Sequence, residues 1–394
     1  MKVISVYNRY LSPGGEDEGF ERERRLLERY GCEVTPATDQ VSNPNGLIDS
    51  AKLAIDTIWS RGWHARFASL IKEKKPDIVH VHNLFPAISP SICYACRDAG
   101  VPLVHTLHNS RLLCPAATFY RNERTCEDCL GKTPPWPAIV HGCYQKSRLR
   151  TSVIATMLTV HRSLDTWRKQ VDLYIVATEF YRRKFIQGGI PEDKIVVKPF
   201  CVDPDPGVKN CRGDYALFIG RLVPEKGVRT LLAAWERLGD IPLKIRGNGP
   251  LLNEVQDFAE RHPNQVEVLS NHLVDHELAA LTKGARFLVW PSGGIFETFG
   301  SVAVEAFACG MPVIASRTGA MAEVVTDQRT GLHFTVGDSD DLATKVGWAW
   351  NHPDEMEVMG RNARCEYETK YTPDRNYEML MAIYQRAISG YVRR

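Results

Sequence analysis

Short runs rich in β-branched residues alternate with longer helical stretches along almost the whole chain, and that alternation leaves few folds open. Repeated strand–helix–strand units predict parallel sheets with both faces covered. In the first half, strand candidates are Val3–Tyr7, Asp77–His82, Pro102–Leu107, Leu173–Ala177 and Ile195–Val197. Helix candidates between them are Glu16–Tyr30, Ala65–Lys74, Ser91–Ala99 and Thr178–Gln187. The pattern stops at residues 199–207, where Pro199, Pro204, Pro206 and Gly207 read as a linker, and then restarts. Beyond it, strands at Ala216–Ile219, Pro242–Ile245, Val266–Leu269, Arg286–Val289 and Pro312–Ala315 alternate with helices at Gly227–Leu238, Leu251–His262 and Asp275–Lys283. A chain of 394 residues is too long for one ordinary core. The reading is therefore α/β, with two doubly wound domains and ligands at the carboxyl ends of strands.

Composition narrows the class of partner. A hydrophobic fraction of 44% with 24% charged residues is that of a soluble globular protein, and a net charge of +2 gives no reason to expect nucleic acid. No apolar run reaches the length of a membrane-spanning helix, and the N-terminus enters a strand without signal-peptide architecture. Eleven cysteines, with no export signal, point to a reducing compartment and a cytoplasmic location.

The chemistry concentrates in the second half. After the strand candidate Arg286–Val289 comes a Gly-rich approach, Trp290-Pro291-Ser292-Gly293-Gly294, then Glu297, then a helix that starts near Ser301 and carries Glu305. A strand, a loop and a helix start form an anion site, with Gly300 and Ser301 offering backbone N–H donors. Two acids beside an anion need other partners on the same ligand, and sugar and ribose hydroxyls fit. At the end of Ala216–Ile219, Gly220-Arg221-Leu222 leads to Lys226-Gly227, so two cations hang where a diphosphate would bind. Gly247-Asn248-Gly249-Pro250 follows another strand, but Leu252 stands where a dinucleotide fingerprint needs a third glycine, which disfavours an NAD enzyme.

These motifs resemble the E-x7-E, G-R-L-x3-K-G and G-x-G-P elements of retaining glycosyltransferases of family 4 (glycosyl transferases group 1). The resemblance implies a GT-B fold, two Rossmann-like domains facing across a cleft. It implies an N-terminal acceptor-side domain over residues 1–205, a donor domain over 206–372, and a final helix over 373–394 that packs back on the first domain. Arg221 and Lys226 are then expected to neutralise a departing nucleotide diphosphate, Glu297 to hold sugar hydroxyls and Glu305 the ribose. Gly247 and Gly249 would line the nucleotide pocket, and the loop at residues 270–273 would cup the base, with His272 a weak candidate contact. Gly14 and Gly15, after Ser12-Pro13, are expected near the donor diphosphate, and His108 aligns with the family histidine that touches the transferring sugar or the acceptor. His105, His80 and His82 are left as packed residues. The family account is same-face attack with retention of configuration and no catalytic cofactor. Asp203-Pro204-Asp205 resembles the hinge segment and is assigned no metal. The donor is expected to be a nucleotide sugar, the acceptor a saccharide or lipid-linked saccharide, and the setting cell-surface polysaccharide or glycolipid assembly.

The insertion at residues 110–145 departs from the minimal family pattern, although a subset of polysaccharide transferases carries a similar cysteine-bearing segment. Cys114, Cys126, Cys129 and Cys143 have the spacing of a tetrahedral thiolate site, so structural zinc is set above an iron–sulfur cluster and above unliganded thiols. After it, Leu149, Val153, Met157, Val160, Leu164 and Trp167 recur at helical spacing among Arg and Lys residues. A core-packed helix with a solvated basic face is preferred there to a surface resting on anionic lipid, which would place the protein peripherally at the inner face of the cytoplasmic membrane. Two other functions stay open: a nucleotide-sugar epimerase on the same scaffold, and a metal-stapled binding protein without catalysis.

Overall fold

The computed structural model describes residues 1–9, 14–40, 46–270, 275–294 and 297–392. Ser12-Pro13, the loop holding His272, and Phe296 lie outside the described residues. The chain divides into two compact units. The first holds Met1–Phe119, Glu127–Lys198 and Asn376–Arg394; the second holds Tyr120–Cys126 and Pro199–Arg375.

In chain order the first strands are β1 (Lys2–Arg9), β2 (Glu33–Gln40), β3 (Ile78–Asn83) and β4 (Leu103–Thr106). A short hairpin of β5 (Tyr120–Arg121) and β6 (Arg124–Thr125) follows, then β7 (Leu173–Val176) and β8 (Ile195–Val197). The first unit's sheet has the order β2-β1-β3-β4-β7-β8, with every neighbouring pair parallel. Its central strand β3 is buried at every residue, as a sheet covered on both faces requires. Leu380, Ile383, Tyr384 and Ala387 of the helix Pro373–Val392 pack into the same core as Val3, Leu27, Ile78, Val104 and Ile175.

The second unit is built on β9 (Tyr215–Ile219), β10 (Leu243–Arg246), β11 (Val266–Leu269), β12 (Ala285–Trp290), β13 (Val313–Ser316) and β14 (Gly331–Phe334). Their order is β11-β10-β9-β12-β13-β14, again all parallel. Counted from its own first strand, this is the Rossmann order, in which the winding reverses between β9 and β12. In the first sheet the reversal falls between β1 and β3. Each reversal leaves a crevice at the strand carboxyl ends, which fixes where to look for ligand chemistry in each unit. Each unit thus has the Rossmann-like, doubly wound α/β architecture expected from the sequence. Among the described residues, no helix is long and apolar enough to cross a membrane.

Candidate active site

In the second unit, the loops leaving β9 and β12 meet at the reversal point through backbone packing. A side chain on Gly227 (φ +71°) would place its Cβ 1.9 Å from the Pro291 carbonyl oxygen, so only glycine lets these two loops approach. The Gly293 N–H then donates to the Glu225 carbonyl at 2.9 Å. Across that contact the Lys226 ammonium donates to Glu297 Oε1, which also accepts from Ser292 Oγ at 2.9 Å and Trp290 Nε1 at 3.3 Å. Burial pushes the Glu297 carboxyl up, but the Lys226 charge and the donated hydrogen bonds outweigh it and hold the group below the ordinary carboxylate value. The result is an ionised, buried acid gripped by a cation at the carboxyl ends of the two central strands.

The other sequence-derived residues of the donor motifs follow β9, β10 and β12 in the chain. Arg221 follows β9 and is exposed. Gly300 (φ +94°) caps the helix Ser301–Ala308, and a Cβ there would lie 1.9 Å from the Trp290 ring, which holds the helix start against the end of β12. Ser301 is exposed at the helix start, and Glu305 is half-buried within the helix. Gly247 and Gly249 lie in the turn that follows β10. Their Cβ positions would fall 2.0 Å from the Gly220 oxygen and 2.5 Å from the Leu222 oxygen, so the turn packs on the backbone that presents Arg221. Asp205 is paired at 2.7 and 2.8 Å with both terminal nitrogens of Arg364 and serves as a tether.

In the first unit, β3 and β4 bring four histidines together. His82 Nδ1 lies 2.9 Å from His108 Nε2, and the two rings stack at 5.2 Å. His80 is held by the Tyr384 hydroxyl and Thr106 Oγ1, each at 2.7 Å. Burial first, then the neighbouring His82, pushes His108 well below its ordinary value, so it works as a neutral hydrogen-bonding ring. A cavity of about 40 Å³ is lined by His82, His105, His108, Arg111 and Trp167, among others. Among the described residues, His105 Nδ1 and Trp167 Nε1 are buried there without a hydrogen-bond partner. Gly14 precedes the helix Gly15–Arg29 and donates to Asp17 Oδ2 at 2.9 Å, with open space where a Cβ on Gly14 or Gly15 would stand.

Two donor sets bear on metals. Glu23, His80 and His82 bring ligand atoms within 4.8 Å of one another, a cluster that sequence reading missed because Glu23 comes from a helix far from β3 in the chain. Lys198 Nζ already lies 3.2 Å from Glu23 Oε2 and 2.9 Å from Asn376 Oδ1, so the carboxylate has its countercharge and both His80 nitrogens are engaged. The trio is a charged core network. The second set is Cys114, Cys126, Cys129 and Cys143, of which Cys129 is buried and the others half-buried. The Cys129 thiol donates to the Pro135 carbonyl at 3.7 Å. The basic helix after the insertion, Arg148–Ser163, buries Thr151, Ile154, Ala155, Met157, Leu158 and His161, a face rotated from the expected stripe, and leaves Leu149 at its start 78% exposed.

Residues 25–206 match the family described as Glycosyltransferase Family 4, and residues 204–366 match Glycosyl transferases group 1. The chain is 33% identical over 176 residues to an uncharacterized glycosyltransferase of Methanocaldococcus jannaschii, covering 44% of this chain and 49% of that one. It is 25% identical to the D-inositol 3-phosphate glycosyltransferase of an Arthrobacter species over 88% of this chain and 77% of the relative. The chain spans about half the length of the first curated relatives it matches. Among solved structures, Anabaena HepE in complex with UDP superposes with a TM-score of 0.69 at 16% identity, over 98% of this chain and 100% of that one; HepE has also been solved with UDP-glucose.

Proposed function

We propose that this chain, which carries a Glycosyltransferase Family 4 domain followed by a group 1 glycosyl transferase domain, moves a sugar from a nucleotide-diphosphate donor to a hydroxyl acceptor with retention of configuration. The observation that carries the reading is the pairing of the half-buried Lys226 with the buried Glu297 at the strand-order reversal of the second unit. A diphosphate in that crevice meets the Lys226 ammonium and the exposed Arg221, which stabilise the charge that develops as the sugar departs. Glu297 is ionised and fixed by three donors, so its second oxygen is oriented to accept from sugar hydroxyls. Glu305, further along the helix, is assigned to the ribose, and the N–H groups at Gly300 and Ser301 to phosphate oxygens. In the first unit we assign the acceptor hydroxyl to the cavity beside His108, where the partnerless His105 Nδ1 and Trp167 Nε1 offer polar contacts. Attack from the face that the leaving group vacates passes the hydroxyl proton to the departing phosphate oxygen, so no base on the protein is needed. Positioning and charge then supply the rate.

A panel of nucleotide sugars screened for thermal stabilisation tests this. The UDP and UDP-glucose held by HepE make uridine diphosphate sugars the first to try. A true donor at 100 times its dissociation constant should stabilise the fold by about 2.7 kcal/mol. A panel in which no nucleotide sugar raises the melting temperature, while the protein remains folded, removes the reading.

A lipid-linked acceptor, as in surface polysaccharide or glycolipid assembly at the inner face of the cytoplasmic membrane, is the finer form of the proposal. Its support is the exposed Leu47 and Ile48, 90% and 84% accessible, together with Leu149 flanked by Arg148 and Arg150. Cosedimentation with vesicles containing phosphatidylglycerol should be strong at low salt and fall as salt screens the arginines. Equal pelleting with neutral vesicles, or none with either, removes the membrane part alone.

A further inference from the structure

The Cys-rich insertion has a use that no thiol chemistry explains. At Tyr120 the chain passes from the first unit into the second, forms the β5–β6 hairpin, and returns after Cys126. Tyr120 pairs with Thr125 and Arg121 with Arg124, joined by Asn122 and Glu123 at φ +52° and +59°. Two left-handed residues in a two-residue connection make a type I′ turn, which sets a tight register. Cross-strand partners share a face, so Tyr120 and Thr125 point together. That face rests on the glycine approach to Glu297. A Cβ on Gly294 would sit 3.1 Å from Tyr120 Cδ2 and 3.5 Å from Thr125 Oγ1, and one on Gly293 would sit 3.7 Å from the Tyr120 hydroxyl. At the tip, Glu123 forms an ion pair with Arg229, which Glu254 also holds at 3.1 Å. Arg229 belongs to the helix Val228–Trp235 that begins just after Lys226. The hairpin thus bears on the glycine approach to Glu297 and on the helix that follows Lys226.

We propose that Tyr120 is a positioning residue for the sugar end of the donor, acting through Gly293–Gly294 on Glu297; this rests on the donor reading above. Two adjacent glycines have wide backbone freedom, and a loop that carries a sugar-reading acid gains from having that freedom removed before the ligand arrives. The ring supplies the restraint by contact at its edge, so phenylalanine keeps it and alanine loses it. Because the hairpin is contributed by the insertion, chains of this fold lacking the insertion would have to restrain the loop by other means.

The test uses the full-length protein and two readouts. Amide hydrogen exchange without ligand should speed up about tenfold at Gly293 and Gly294 in Tyr120→Ala and stay at the wild-type rate in Tyr120→Phe. In calorimetry, Tyr120→Ala should weaken UDP-glucose by about tenfold but UDP by less than about twofold, because the lost restraint serves only the sugar end. Gly294→Ala crowds the ring, and its effect on UDP-glucose affinity should shrink in the Tyr120→Ala background, where the opposing ring is gone. Unchanged exchange in Tyr120→Ala overturns the restraint, and equal weakening of UDP and UDP-glucose overturns the positioning role. If the wild type binds neither probe, the uridine donor assignment fails, while the exchange result still decides whether the hairpin restrains the loop.

Discussion

Lys226→Met is expected to lose turnover by about 10²–10³-fold, the usual cost of removing a charge that stabilises a departing group. The same change should lower stability by roughly 3–5 kcal/mol, because it strands the Glu297 carboxylate in a buried site. The two losses have different causes and should separate in a second variant. Lys226→Met combined with Glu297→Gln leaves no buried charge, so most of the stability should return while turnover stays lost. The pH dependence gives a sign to check. In the wild type the Glu297 carboxyl titrates below its ordinary value of 4.5 when folded. Its contribution is therefore present above pH 4.5 and is lost as pH falls through the folded value. Without Lys226 the largest opposing cause disappears and burial dominates, which raises the group. Lys226→Met should then lose less stability than the wild type on going from pH 7 to pH 5. Urea denaturation at both values measures this. A Lys226→Met protein as stable as the wild type at pH 7 would mean that the ammonium does not compensate this acid.

That pair was half legible in the sequence. Lys226 and Glu297 stand in recognisable spacings after strand-like runs, and parallel α/β order follows from the alternation of elements. The contact between them was not legible, because it depends on Gly227 packing against Pro291 across 64 residues of chain. Ser292 was in plain view in the approach loop, yet nothing local shows that its hydroxyl turns to Glu297. Two edge strands escaped notice for physical reasons. β2 has a single buried residue, Ala37, and contains Pro36, so it lacks an apolar run, and β14 is four residues long and opens on Gly331. At residues 247 and 249 the sequence shows glycine, but nothing local shows that the missing side chains admit the Gly220–Leu222 backbone.

Between pH 6.5 and pH 5 the first unit should lose stability in a window where ordinary carboxylates do not titrate. Burial pushes His80 from 6.5 down to about 4 and His105 down to about 3, and it drives His108 well below the ordinary value. For these rings the folded value lies below the unfolded one. As pH falls through 6.5 the unfolded chain takes up protons that the folded chain refuses, so stability is complete above 6.5 and declines below it. Each such ring costs about 1.4 kcal/mol per pH unit inside the window, so three together approach ~4 kcal/mol per unit. Glu23 does not offset this. Burial raises its carboxyl, but His80, Lys198 and His82 hold it well below the ordinary value, so it stays ionised across the window. A loss on the order of 6 kcal/mol by pH 5 is comparable with the whole stability of a typical domain. Amide exchange in β3 and β4, followed from pH 7.5 to 5 and corrected for intrinsic rates, reports this locally. His105→Leu removes a ring whose Nδ1 has no partner, and it should flatten the slope by about a third. A wild-type slope no steeper below pH 6.5 than above it would show that these rings protonate as readily in the folded unit as in the unfolded chain.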